Sequence, residues 1–365
     1  MDANFKIPFY AKVALIAICV YALIFTMCIG REIILPLIYA TIIAILLNPV
    51  VNFLMRKGVN KIVAISITVV FSFLLVLAII YVISSQMTMF SETLPQLKVK
   101  ITEALNEGVH WVAEKFKISE QKIQTKIQEG RSEAMNNLAV GEKITQVGRI
   151  VMVGTLLPVY LFMILFYKPL LLEFIKKLFP TQHHKTVSEV LISTKTIIHS
   201  YLVGLLFEMI IIAVLNSVGL LILGIQYAIL LGVLGAILNV IPYIGGVMAT
   251  SLPMIIAFVT KDSITYPLIV MIMYIVIQFV DNHYIVPKIV ASRVKINALI
   301  SIIVVLIGGA IWGVPGMFLS IPLTAILKVI FDHIEPLKPW GFLLGNIVPT
   351  TSSFTSIKVR KAKAK

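Results

Sequence analysis

Apolar residues run along this chain in unbroken stretches about as long as a helix needs to cross a bilayer, with polar residues gathered between them. The pattern predicts spans at Ala11–Ile29, Ile33–Leu54, Ile62–Ile83, Val147–Tyr167, Ile197–Leu223 and Ile264–Tyr284. None alternates with the period of a barrel strand, and a lipid-exposed backbone must satisfy its own hydrogen bonds, so helices are the expected form. Two further apolar stretches, Gln226–Thr260 and Ile296–Ile330, are too long for one crossing, and both are interrupted by Gly and Pro. Each is expected to form either a re-entrant hairpin or two short crossings.

The expected fold is therefore all-α: a polytopic membrane protein with about six full crossings, two Gly/Pro-broken hairpins and a small helical extramembrane segment. That segment is Ser84–Gln146, where Leu94, Leu97, Ile101, Leu105, Val109, Val112 and Phe116 recur at helical spacing, followed by Ile123 and Ile127. Beyond it, Leu170–Ser200 carries an amphipathic stripe of Val187, Leu191, Thr194 and Ile198, expected to be an interfacial helix. The chain divides into N-terminal spans (1–83), an extracytoplasmic helical segment (84–146), and a span with a cytoplasmic amphipathic helix (147–200). A transport core (201–335) and a basic cytoplasmic tail (336–365) complete it.

Composition supports the bilayer as solvent. Of 365 residues, 59% are hydrophobic and 13% charged, with a mean hydropathy of +0.99. A soluble protein of this size exposes more polar surface than that supplies. Cys19 and Cys28 share the first apolar run, where they read as helix-facing or lipid-facing filler rather than a disulfide. That run, Val13 to Ile29, is long for a signal-peptide core and lacks a small-x-small exit, so a retained helix is expected.

Charge then sets the orientation. With the N-terminus inside, the inner segments hold Lys6 and Lys12, then Arg56, Lys57 and Lys61, then Lys168, Lys176, Lys177, Lys185 and Lys195. They also hold Lys288, Arg293, Lys295, Lys328, Lys338 and the basic tail, whereas the short outer loops hold Arg31 and Lys261. This is the asymmetry of the positive-inside rule, and it predicts that both termini lie in the cytoplasm. The tail from Lys358 to Lys365 reads as an orientation signal and lipid contact, not a nucleic-acid arm.

Enzyme chemistry finds no footing. The sequence has no HExxH pair for zinc, no GxSxG serine elbow and no P-loop lysine, so neither a catalytic residue, a cofactor nor a metal site is expected. The adjacent His183 and His184 would face different ways on a helix.

The broken stretches carry more information. The first reads Asn239-Val-Ile-Pro242-Tyr243-Ile-Gly245-Gly246, and the second Gly308-Gly309-Ala-Ile-Trp312-Gly313-Val-Pro315-Gly316. Pro removes a backbone donor and Gly favours non-helical angles, so backbone polar groups are freed at membrane depth. Such backbone is tolerated only inside protein or along a water-filled cavity. By the charge walk the two stretches enter from opposite faces, as in an inverted-repeat transporter with a midplane site. The plainer reading of these Gly and Pro residues is close helix packing and tight turns.

Polar residues at membrane depth point the same way. Glu208 lies in mid-span, where a charge costs roughly 2.5–3.5 kcal/mol on insertion scales, so it must be protonated, paired or facing water. Asn216 lies two turns along the same face. Gln278, Asp281 and Asn282 cluster at the inner end of the next crossing, with Gln278 and Asn282 at i,i+4 spacing. Asp281 could instead pair with Lys288 or Arg293.

Together these motifs resemble the autoinducer-2 exporter family of bacterial membrane proteins. The resemblance rests on Ile241-Pro242-Tyr243-Ile244-Gly245, Gln278-x-x-Asp281-Asn282 with Pro287-Lys288, and Gly308-Gly309, Gly313, Gly316-Met317 and Ile321-Pro322. It covers most of the chain in layout and is most specific from Gly204 onward. It implies a transporter, with export of a small quorum-sensing furanone in some members and sodium/proton antiport in others. The chain departs from the family pattern at Leu205, Gly246, Asp281 and Ala298.

The expected function is secondary transport of a small polar solute, autoinducer-2-like by that resemblance, driven by an ion gradient because no ATP-binding motif exists. A sodium(lithium)/proton antiporter is the alternative, and an oligomeric passive channel or a scaffold membrane protein is the next. The expected substrate- or ion-binding residues are Asn239, Pro242, Tyr243, Gly245, Gln278, Asp281, Asn282, Gly309 and Gly313, with Glu208 as the coupling group. The expected partners are the lipid bilayer, a small polar solute or cation, and further copies of the chain in a homo-oligomer.

Overall fold

The structure, a computed structural model, describes residues 8–91, 99, 102–103, 106–107, 109–110, 113–115, 125, 141–242, 245–261, 263, 265–291 and 294–346. Its helices are α1 (Phe9–Ile29), α2 (Arg31–Arg56), α3 (Lys61–Ser91), α4 (Gly141–Leu178), α5 (His184–Ile222), α6 (Ala228–Asn239) and α7 (Gly245–Thr260). They continue as α8 (Thr265–Val280), α9 (Ala298–Trp312), α10 (Val314–His333) and α11 (Lys338–Leu344). Two π-helical turns, Asp281–Ile285 and Pro287–Ala291, extend α8. No strand occurs among the described residues, and the fold is an all-α, polytopic membrane protein.

Each of the six predicted spans falls on a helix long and apolar enough to cross a membrane; among the described residues the seventh such helix is α10. The outward surface agrees, since Phe71, Leu74, Ile80, Tyr81, Phe207 and Ile222 are exposed where only lipid would accept them. Helix α1 has no buried residue at all.

The broken stretches fold as two hairpins, α6–α7 and α9–α10. At a rise of about 1.5 Å per residue the arms of the first are roughly 18 and 24 Å long, short of a hydrocarbon core of about 30 Å. Its arms touch closely: a Cβ on Gly245 would lie 2.7 Å from the Cα of Asn239, so only glycine lets the two backbones meet there. In the second hairpin Gly313 carries the turn at φ 66° and ψ −148°, a conformation that only glycine adopts readily.

There are three packed cores among the described residues; α2 contributes to two of them and α5 to two. Ala40, Ala44 and Val51 of α2 pack on Ala64, Ile65 and Val69 of α3 and Leu161 and Leu165 of α4. Ile42, on another face of α2, joins Ile198, Tyr201 and Leu202 of α5 and Leu319 and Ala325 of α10. The third core binds the first hairpin to its neighbours, through Leu220 of α5, Ala228 and Leu231 of α6, Ile256 and Ala257 of α7, and Val270 of α8.

Some boundaries differ from the sequence pattern. Gly30 alone joins α1 to α2: its amide donates to Thr26 O at 2.8 Å and its carbonyl accepts from Ile34 N at 2.9 Å, so the joint is a bend within bonded turns. Residues 170–200 do not form a separate helix. They make up the end of α4, a 3-10 turn at Thr181–His183 and the first turns of α5, which runs unbroken for 39 residues. Backbone hydrogen bonding continues through the change from a one-sided to an all-round apolar pattern, which periodicity alone marks as a boundary. Helix α3 reaches Ser91 and α4 begins at Gly141, so the helical segment expected over 84–146 is narrowed at both ends. Most of its heptad-like residues, among them Leu94, Leu97 and Ile101, lie outside the described residues.

Candidate functional site

Glu208, Asn239, Gln278, Asp281 and Asn282 converge on one cavity of about 830 Å³, a size typical of small-molecule sites. Helix α5 supplies Glu208, the last residue of α6 is Asn239, the turn after it supplies Pro242, α8 supplies Gln278, and the π turn that extends α8 supplies Asp281 and Asn282. The helix widens into a π turn beginning at Asp281, a local rearrangement frequent at functional sites.

Asp281 is the centre of the polar network. It is 1% exposed. Asn239 Nδ2 donates to its Oδ2 at 2.9 Å and Gln278 Nε2 donates to the same oxygen at 3.3 Å. Gln278 Nε2 also lies 3.4 Å from Asn282 Oδ1, a weak bond at the expected i,i+4 spacing. The other carboxylate oxygen, Oδ1, is buried with no hydrogen-bond partner among the described residues. A buried acceptor left in that state carries a desolvation penalty of about 1–3 kcal/mol, and a cation or donor arriving in the cavity would remove it. Glu208, 7% exposed, lines the same cavity, so two carboxyl groups face one space.

Among the described residues, the bonds to Asp281 come from Asn239 and Gln278; Arg293, one of its two expected ionic partners, lies outside them. Asn216 is buried on α5 but does not line the cavity, and its Oδ1 is unpartnered. Tyr243 lies outside the described residues. Gly245 is buried at the contact between the hairpin arms, and its neighbour Gly246 is the glycine that lines the cavity, where a Cβ would lie 2.7 Å from Gln278 Oε1.

Gly309 and Gly313 do not join the cavity lining. Gly309 sits against Met317 of the facing arm, and Gly313 makes the turn. That turn is fastened elsewhere: Trp312 Nε1 donates to Met27 O of α1 at 2.9 Å, and Tyr39 Oη of α2 donates to Pro315 O at 3.2 Å. The Tyr39 ring also stacks on Phe318 with centroids 6.0 Å apart.

Several lining residues carried no signal in the sequence. Tyr201, Thr250, Ser251, Tyr274 and Ser301 are ordinary in composition and meet only in the fold. Tyr274 could have been found by its place one turn before Gln278; its buried hydroxyl is unpartnered. Lys295, exposed at the cavity edge, has a left-handed backbone at φ 50°, uncommon for a residue with a side chain.

The fold and site make this a polytopic membrane protein whose first hairpin, α5 and the extended α8 bring polar side chains to one cavity, as a membrane transporter requires. Residues 13–335 match the family described as AI-2E family transporter, and the chain belongs to that family. It is 26% identical over 306 residues to the AI-2 transport protein TqsA of Escherichia coli (strain K12), covering 83% of this chain and 87% of TqsA. It is 25% identical over 321 residues to YrrI of Bacillus subtilis (strain 168), covering 83% of this chain and 87% of the relative. To YhhT of Escherichia coli (strain K12) it is 25% identical over 330 residues, covering 87% and 89%. The protein is thus a multi-pass bacterial membrane transporter, with the bilayer and a small transported solute as its partners.

Proposed function

We propose that this transporter exports a small polar solute, autoinducer-2-like by its kinship with TqsA, and that an ion gradient drives the cycle. The observation that carries the proposal is the buried Asp281 with one satisfied and one unsatisfied oxygen, opening on a cavity that Glu208 also lines. Donors from Asn239, Gln278 and Asn282 suit a hydroxylated or carbonyl-bearing solute. The carboxyl pair suits a coupling cation or proton, because two acids facing one space favour one positive charge between them. The first hairpin, too short to cross, re-enters the bilayer and moves against α5 and α8 to alternate access. The second hairpin, pinned by Trp312 and Tyr39, belongs to the fixed part. Both termini face the cytoplasm, as the basic asymmetry indicates.

The experiment is flux of an autoinducer-2-type furanone in proteoliposomes, with sodium and proton gradients imposed separately. One of the two gradients should raise flux, and Asp281→Asn should abolish that rise. Flux indifferent to both gradients refutes the coupling. Absence of furanone flux, with sodium-driven proton movement still present, favours the second reading, sodium(lithium)/proton exchange. The same carboxyl pair supports that reading. A passive channel would show as single-channel conductance in planar bilayers.

A further inference from the structure

A second polar cavity, of about 290 Å³, lies between α2, α3 and α4, well away from the transport site in the sequence and sharing none of its lining residues. Its polar groups are Asn48, Asn52, Lys61 and Lys168, and the rest of its wall is apolar, from Val51 and Met55 to Leu172.

The donors there outnumber the acceptors. Lys168 Nζ donates to Asn48 Oδ1 at 2.8 Å, and Lys61 Nζ donates to Phe166 O at 2.8 Å while lying 4.9 Å from the Phe166 ring centroid. An ammonium has three donors, so each lysine retains unspent hydrogens. Among the described residues no carboxylate pairs with either lysine, and Lys61 and Lys195 are like-charge neighbours of Lys168.

Asn48 decides the sign of the missing group. It is 6% exposed, and its Nδ2 is buried without a partner. The amide cannot be turned over to relieve this, because Lys168 has no acceptor to offer and must meet the oxygen. A buried donor and two unpaired ammonium groups on one cavity call for an acceptor that carries negative charge.

We infer that this cavity holds the phosphate of an anionic phospholipid in the cytoplasmic leaflet. The charge asymmetry that places Arg56, Lys57 and Lys61 inside puts the cavity at the level of the inner headgroups. Its apolar wall continues onto exposed Met55, Ile62, Leu171 and Leu172, which offer a path for acyl chains that a free phosphate would not need. Basic pockets between membrane helices on this side are the known chemistry of headgroup capture.

The full chain, purified in detergent, is titrated with phosphatidylglycerol, phosphatidylcholine and inorganic phosphate, reading bound lipid by native mass spectrometry and the unfolding midpoint. Phosphatidylglycerol should be retained over phosphatidylcholine, and K61Q and K168Q should each weaken that preference about five-fold. K338Q, outside the cavity, should leave it unchanged. N48D, which gives Lys168 an internal carboxylate and presents charge to the phosphate, should remove it even if a lysine variant fails to fold. Equal retention of the two lipids by the unaltered protein overturns the inference. So does a preference that survives all three cavity variants. Stabilisation by inorganic phosphate that phosphatidylglycerol does not exceed assigns the cavity to a free anion and overturns the lipid.

Discussion

Asn239 Nδ2 donates 2.9 Å to Asp281 Oδ2, fastening the last residue of α6 in the first hairpin to the π turn that ends α8. The bond joins the part proposed to move to the part that bears the buried carboxyl group. Its strength therefore bears on both stability and gating.

Asn239→Leu removes the donor and leaves Oδ2 with the longer bond from Gln278. Weakening the satisfaction of a buried acceptor costs up to about 1–3 kcal/mol, so the unfolding midpoint in detergent should fall. Solute flux should fall more than protein abundance does. Unchanged flux in a folded Asn239→Leu protein would separate this bond from transport.

Glu208→Gln keeps the volume and a polar end of the side chain, exchanging one oxygen for an amide donor, but removes its proton exchange. If Glu208 couples the ion, the variant should retain solute binding, measured by equilibrium titration, while the gradient no longer accelerates flux. Gradient-stimulated flux equal to that of the unaltered protein would exclude Glu208 from coupling. Asp281→Asn provides the contrast, because it should lower solute binding as well.

The chemistry of this site was legible because polar residues in membrane-length apolar runs are anomalous: Glu208, Asn239, Gln278, Asp281 and Asn282 stood out for that reason. All five line one cavity. The difference between the hairpins was not legible. Asn239–Gly246 and Gly308–Gly316 carry the same Gly/Pro punctuation, yet one turn borders the cavity and the other is bonded to Met27 and Tyr39, contacts set by tertiary packing. Nor was the length of α5, because the hydrophobic period changes along a helix whose hydrogen bonding does not.

Trp312→Phe keeps the ring in place and deletes the donor to Met27 O. A net loss of about 1 kcal/mol is expected, seen as a modest drop in the unfolding midpoint. If the second hairpin is the fixed element, flux per folded molecule should hardly change. A large change in flux without loss of stability would instead make this hairpin a moving part.

Gly313→Ala places a Cβ on a backbone at φ 66° and ψ −148°. No neighbour lies within 4 Å of that Cβ, so the cost is conformational rather than steric, about 1–3 kcal/mol. Gly245→Ala differs in kind, because its Cβ would collide with the backbone of Leu238 and Asn239. Purified yields should rank Gly313→Ala above Gly245→Ala. The reverse order would mean that the second turn, not the contact between the arms of the first hairpin, limits folding.

The opposed arrangement of the hairpins can be tested with single cysteines at Val247 and Val314, both exposed and close to the two turns, after Cys19 and Cys28 are replaced by Ser. If the first hairpin enters from outside and the second from inside, their turns point toward opposite faces. A membrane-impermeant maleimide applied to right-side-out and inverted vesicles should then label the two positions with opposite preference. Labelling of both cysteines from one face alone would mean that the hairpins enter from the same side. The inverted-repeat mechanism would then fail, while the cavity around Asp281 would remain to be explained as a site approached from one side only.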